Sequence, residues 1–366
     1  MKGGGSRREL RAGRVKRHDT PRVGTPAIAR ADGEAALGQA ETRPREPSAV
    51  VLDEHGVARP ATPTAPPPAS PRAGVVVATR YRLVERLGKG GLGSVWRAHD
   101  EREAADVAVK LIARAREHTG DATARLMREG EAAFRLEHRS IVRVLDWGEA
   151  DGEAAFLVME LVEGESLGAL LNRDGALAPT EAVRVLLPVA EALETAHRAG
   201  VVHRDVKPEN ILLAREGGVV VPKLADFGIA LQAGARRLTA AGALLGSPDY
   251  MSPEQAREPG EVDGRTDVWS LAVVLYEAVT LERPFRGHHF GGVIASILRN
   301  DPAPITDLGV GEAELWEIIA LGLVKEREGR FQSALAMARA LARWATVRGV
   351  AEDVTGAPLD RFFRTP

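Results

Sequence analysis

The eight residues His203 to Asn210, reading H-R-D-V-K-P-E-N, constrain this chain more than any other stretch. They set a carboxylate, two cations and a carboxamide between an apolar pair, Val201 and Val202, and an apolar run, Ile211 to Leu213. A loop held between short extended segments can aim Asp205, Lys207 and Asn210 at one point. There Asp205 can accept a proton from a hydroxyl, Lys207 can neutralise a phosphoryl oxygen, and Asn210 can ligate a hard cation through its carbonyl. Phosphoryl transfer needs these parts, because its catalysis is mostly positioning and electrostatics. Taken in fragments, the same residues make an ordinary solvated turn, so the whole ordered string carries the argument.

Sixteen residues beyond Asn210 stands Asp226-Phe227-Gly228. The two motifs in register resemble the catalytic loop and D-F-G of the protein kinases. With G-K-G-G-L-G at 88–93 and S-P-E-Q at 252–255, the resemblance is to bacterial eukaryotic-like (Hanks-type) serine/threonine kinases, over roughly residues 80 to 345. It implies an α+β, two-lobed protein kinase fold: a small β-rich lobe with one regulatory helix, and a larger, mainly helical one. The expected division is an N-lobe over 79–160, a hinge over 160–164 and a C-lobe over 165–345.

Residues 1–78 differ from the remainder. The first thirty are rich in Lys and Arg, and a run of prolines follows between Pro60 and Pro71. Such a segment buries too little apolar surface to offset its ordering entropy, so a disordered basic and then proline-rich extension is expected. Residues 346–366 read as a short tail, with fraying as the default. The formal net charge of −2 gives no case for nucleic acid as a partner. No apolar run reaches the length of a membrane span. The absence of cysteine is compatible with a reducing, cytoplasmic setting.

Tyr81, Leu83, Glu85 and Leu87 alternate as in a half-buried strand. The G-x-G-x-x-G-x-V pattern of Gly88, Gly90, Gly93 and Val95 then lets backbone approach phosphates. A P-loop would end in Gly-Lys-Ser/Thr, and Gly93 is followed by Ser94. A dinucleotide fingerprint needs a helix after the last glycine, whereas Ser94-Val95-Trp96 favours a strand. A hairpin over a nucleotide remains. Lys110 ends the next strand on the face of Ala108. In the helix expected over 121–137, Glu129 rather than Glu131 matches the family's partner for that lysine.

The resemblance places ATP between the lobes. Leu87, Gly88, Lys89, Gly90, Gly93 and Val95 would cover it. Ala108, Met159, Glu160, Val162 and Leu212 would surround the adenine, and Lys110, held by Glu129, would fix the α- and β-phosphates. Asn210 and Asp226 would hold Mg2+, for which Mn2+ can substitute; Asp205 would be the catalytic base and Lys207 would steady the transferring group. Between Gly228 and Glu254, Thr239 is the first candidate phosphate acceptor. Ser247 matches a hydroxyl that contacts the catalytic Lys and Asp, and Arg204 would pair with a bound phosphate. Asp267, at the start of a central helix, would brace the catalytic loop, and Arg330 would pair with Glu254. Alanine stands at 272 where the family usually has glycine, and Pro188 should kink its helix or displace a backbone bond. The implied activity is transfer of the γ-phosphoryl group to Ser/Thr hydroxyls of proteins, with autophosphorylation through a transient homodimer. Two other readings are weighed. A catalytically dead scaffold requires loss of Lys110, Asp205 or Asp226, all present; a docking role for residues 1–78 is testable by deletion.

Overall fold

The computed structural model describes residues 50–52, 58–60, 71–90, 93–113, 134–150, 154–227, 248–257 and 262–364. Residues 1–66 form a unit of their own. Within it β1 (Val50–Leu52) pairs antiparallel with β2 (Ala58–Pro60), Val51 opposite Arg59. The expected extension therefore contains a short ribbon, which the β-branched Val50–Val51 pair favours and composition averaged over 78 residues conceals.

The small lobe is one antiparallel sheet. Its strands are β3 (Val76–Val77), β4 (Tyr81–Gly90), β5 (Gly93–Asp100), β6 (Ala105–Ala113), β7 (Val144–Ala150) and β8 (Ala154–Glu160), in the order 3-4-5-6-8-7. Val77 on β3 is buried, and Gly74 N–H donates to Leu83 O at 2.8 Å. Strand alternation divides the residues between two faces. Tyr81, Leu83, Trp96, Val107, Val109 and Val158 close the lobe's own core. Ala108, Leu157 and Met159, on the opposite face, join the apolar cluster that continues into the large lobe.

Beyond β8, β9 (Gly164–Ser166), β10 (Ile211–Glu216) and β11 (Val219–Leu224) form a second sheet in the order 11-10-9. The helices α1 (Leu167–Asp174), α2 (Pro179–Arg198), α3 (Pro253–Arg257) and α4 (Arg265–Thr280) follow. They are succeeded by α5 (Phe290–Arg299), α6 (Ala313–Gly322) and α7 (Ala334–Val347). α4 is buried on nearly every side from Thr266 to Val279, so its apolar residues need no single stripe. Ala272 is fully buried, and a Cβ at Gly322 would stand 2.7 Å from its methyl. The bare Gly322 backbone makes room for the alanine that replaces the family's usual glycine.

α2 stays helical through Pro188, in keeping with the displaced backbone bond among the two effects expected of it. One expectation is corrected here. The tail does not fray: Leu359 and Phe362 are each 1% exposed. Their burial and the charged partners of Arg361 offset the cost of ordering the segment.

Candidate active site

The loop 203–210 is pinned by its backbone. Asp267, fully buried at the start of α4, accepts the N–H groups of His203 (Oδ2, 2.8 Å) and Arg204 (Oδ1, 2.7 Å). His197, in the last turn of α2, lies with Nε2 2.7 Å from Asp267 Oδ2. From the other side Gln255 Nε2 donates to Arg204 O at 2.9 Å. These anchors hold Arg204 at φ 68°, a left-handed conformation unfavourable for a residue that carries a Cβ.

His203 is fully buried beneath the loop. Its Nδ1 accepts the Asp205 N–H at 3.2 Å, which leaves Nε2 to donate to Ala225 O at 2.9 Å. Burial pushes its pKa down, fixing the neutral imidazole that both bonds require. The ring also packs against Phe227, centroids 4.6 Å apart. One side chain thus ties the loop 203–210 to the strand that delivers Asp226, itself at φ 60°. Ala225 N–H adds a bond to Asn210 O at 2.8 Å.

Above this frame the functional groups converge. Lys207 Nζ lies 2.6 Å from Asp205 Oδ2, and Asn210 Nδ2 donates to Asp205 O (2.8 Å) and Oδ2 (3.1 Å). Lys110 Nζ, from the small lobe, lies 2.8 Å from Asp226 Oδ1. Its expected partner Glu129 is outside the described residues, as are Thr239 and Ser247.

The glycine hairpin pairs Gly88 with Val95, Lys89 with Ser94 and Gly90 with Gly93. At Gly93 a Cβ would meet the Leu111 carbonyl oxygen at 1.8 Å, so the two strands approach closely only because the residue is glycine. Register sets Lys110 opposite Val95 and Ala108 opposite Met159. Ala108 and Met159 belong to the interlobe apolar cluster, with Val95, Val162 and Leu212 packed against it, while Leu87 on β4 is exposed.

Glu160 is oriented by its side chain. Its Oε1 accepts from Arg143 N–H (2.9 Å) and from the buried Lys223 Nζ (3.1 Å), which also lies 3.1 Å from Glu216. Arg330, buried, forks onto Glu254 with both bonds at 2.8 Å. The brace made by His197, the tie made by His203 and the Lys223 pair were not singled out from sequence; the first and last unite residues more than sixty positions apart.

The donor set suits a magnesium ion. Asn210, turned by its Nδ2 bonds, keeps a carbonyl oxygen for a hard cation, and Asp226 offers a carboxylate; a Mg2+ site needs few such protein ligands when phosphates complete it.

The sequence matches the protein kinase domain family over residues 81–308. It is 40% identical over 278 residues to serine/threonine-protein kinase PknA of Mycobacterium tuberculosis, covering 75% of this chain and 63% of that protein. It is 37% identical over 278 residues to the probable serine/threonine-protein kinase PknB of Corynebacterium glutamicum, covering 73% and 42%. The chain therefore spans about half the length of these relatives. Among solved structures, the PknI kinase domain of M. tuberculosis superposes with a TM-score of 0.62 at 28% identity, covering 75% of this chain and 98% of that one. Residues 1–466 of Rad53 in complex with AMP-PNP give 0.59 at 26%, covering 71% and 64%. The chain belongs to the protein kinase family, in its bacterial Hanks-type serine/threonine branch.

Proposed function

We propose that this protein transfers the γ-phosphoryl group of ATP to serine and threonine hydroxyls of proteins. The observation that carries the reading is the set Asp205, Lys207 and Asn210, with Lys207 and Asn210 each within hydrogen-bond reach of Asp205 on a loop whose backbone Asp267 holds. Asp205 orients the incoming hydroxyl and takes its proton as the oxygen–phosphorus bond forms. The bond from the γ-phosphorus to the bridging oxygen breaks, and ADP leaves. Lys207, beside Asp205, neutralises charge on the transferring group, and Lys110 grips the α- and β-phosphates. Asn210 and Asp226 would hold Mg2+, with Mn2+ as a substitute, and the bound ion would neutralise β- and γ-phosphate charge. The glycine hairpin covers the phosphates and excludes water.

The segment 228–247 carries Thr239 as the first site of autophosphorylation, reached in a transient homodimer, and Ser247 as the match to the family's hydroxyl that contacts the catalytic Lys and Asp. A phosphate at Thr239 would pair with Arg204. Among the described residues no helix is long and apolar enough to cross a membrane, which fits action in the cytoplasm.

Incubation with γ-labelled ATP and magnesium, comparing wild type with Lys110→Met and mapping the modified residues, tests the reading. Label on Thr239 or neighbouring hydroxyls in wild type alone is expected. Label on both proteins alike would overturn it.

A further inference from the structure

The chain beyond α7 folds into a small clasp. Leu359 N–H donates to Ala351 O at 2.8 Å and Asp353 N–H to Ala357 O at 3.0 Å. Asp353, 1% exposed, closes the hairpin: its Oδ1 accepts the Thr355 N–H and hydroxyl, each at 2.7 Å. A carboxylate so buried needs a cation. Arg361 supplies it and reaches onward to α2, donating to the Glu191 carboxylate at 2.9 and 2.8 Å. Leu359 and Phe362 are buried beneath, and Arg339 on α7 donates to Phe362 O at 3.0 Å.

α2 is shaped to receive this clasp. Pro188 has no N–H, so the carbonyl of Arg184, four residues earlier, is left without its helical donor. Val354 N–H takes that place at 3.3 Å. The Arg184 guanidinium in turn donates to the carbonyls of Glu352 (3.1 Å) and Asp353 (3.2 Å). The interruption in the helix ladder is thus the docking point.

One route leads from there to the catalytic loop. Along α2, His197 contacts Asp267, which holds the backbone of His203 and Arg204.

We propose that residues 351–362 are a positioning clasp for phosphoryl transfer. Through Arg184, Pro188 and Glu191 they fix α2, from which His197 reaches Asp267 on α4, the residue that holds the catalytic loop. The proposal rests on the kinase reading of the site. Arg361 and Asp353 are positioning residues and touch no reacting atom; a passive tail in their place would leave turnover unchanged.

The full chain is compared as wild type, Arg361→Ala, Arg361→Lys and Glu191→Gln. Readouts are kcat, KM for ATP and hydrogen exchange of the His203 and Arg204 amides, with circular dichroism as the control for folding. Couplings carried through packed elements of this kind change rates by about 2- to 30-fold. In Arg361→Ala kcat is expected to fall within that range at unchanged KM for ATP, with faster exchange at 203–204 and partial recovery in Arg361→Lys. Wild-type kcat with faster exchange confined to 351–362 would overturn the proposal. Should Arg361→Ala fail to fold, the softer Glu191→Gln decides by the same readouts. Should wild type transfer no phosphate, the kinase reading falls, and exchange at 203–204 still decides whether the clasp positions the loop.

Discussion

Replacing Glu254 by alanine should cost the large lobe about 3–5 kcal/mol, the usual result of stranding one partner of a buried ion pair. Arg330 has no exposed side-chain surface. Its guanidinium donates to the carbonyls of Val324 (2.7 Å), Arg265 (3.1 Å) and Lys325 (2.8 Å), and these bonds would persist in the variant. The two 2.8 Å bonds to Glu254 would vanish and leave the charge without its carboxylate. Hydrogen bonds to charged groups contribute about 1.5–3 kcal/mol each, and the recovered hydration of Glu254 offsets part of their sum. Glu254→Gln keeps shape and one acceptor and should cost less. The guanidinium lies 5.0 Å above the Trp269 ring, so Trp269 contributes to the tryptophan fluorescence that a urea titration follows. Burial alone would push the Glu254 carboxyl up, but Arg330 outweighs it and holds the pKa below the usual range. For a carboxylate whose folded pKa is depressed, the stabilisation is fully present above the unfolded value of about 4.3 and is lost as pH falls through the folded one. The difference between wild type and Glu254→Ala should therefore shrink in acid. A loss below about 1 kcal/mol at neutral pH would refute the reasoning, since exposed pairs behave that way.

Gly93→Val forces the hairpin away from Leu111, so KM for ATP should rise and nucleotide should no longer raise the melting temperature; unchanged values would show that the hairpin does not cover ATP. Lys223→Met leaves Glu160 without its buried cation and should weaken ATP binding, measured by calorimetry, more than it slows transfer at saturating ATP. Lys325 packs its ammonium 3.9 Å from the Phe285 centroid, and burial pushes its pKa down to about 8. The unfolded chain then binds more protons between that value and about 10.4, so stability rises with pH across the window. Any advantage of Lys325→Met at neutral pH should fade there, as urea titrations at several pH values will record.

The glycine hairpin, the strand that carries Lys110 and the loop from His203 to Asn210 were legible because each is written in consecutive residues with local geometry; the strand runs on past Lys110 to Ala113. The fork between Glu254 and Arg330 was legible through family resemblance. The clasp was not: Arg361 and Glu191 lie 170 positions apart, and nothing local distinguishes Arg361 from any exposed arginine. Pro188 was read as a kink or a displaced bond, and the donor that replaces its N–H, Val354, follows from tertiary packing alone. The same holds for His197, which in sequence is one more polar residue at a helix end and in the fold reaches the buried Asp267.

The central claim is tested most directly by Asp205→Asn, with nucleotide affinity and phosphoryl transfer measured side by side on a peptide substrate. A general base contributes about 10²- to 10⁴-fold. The account predicts ATP affinity like that of wild type and a transfer rate reduced by a factor in that range. Transfer at the wild-type rate with ATP bound would contradict it.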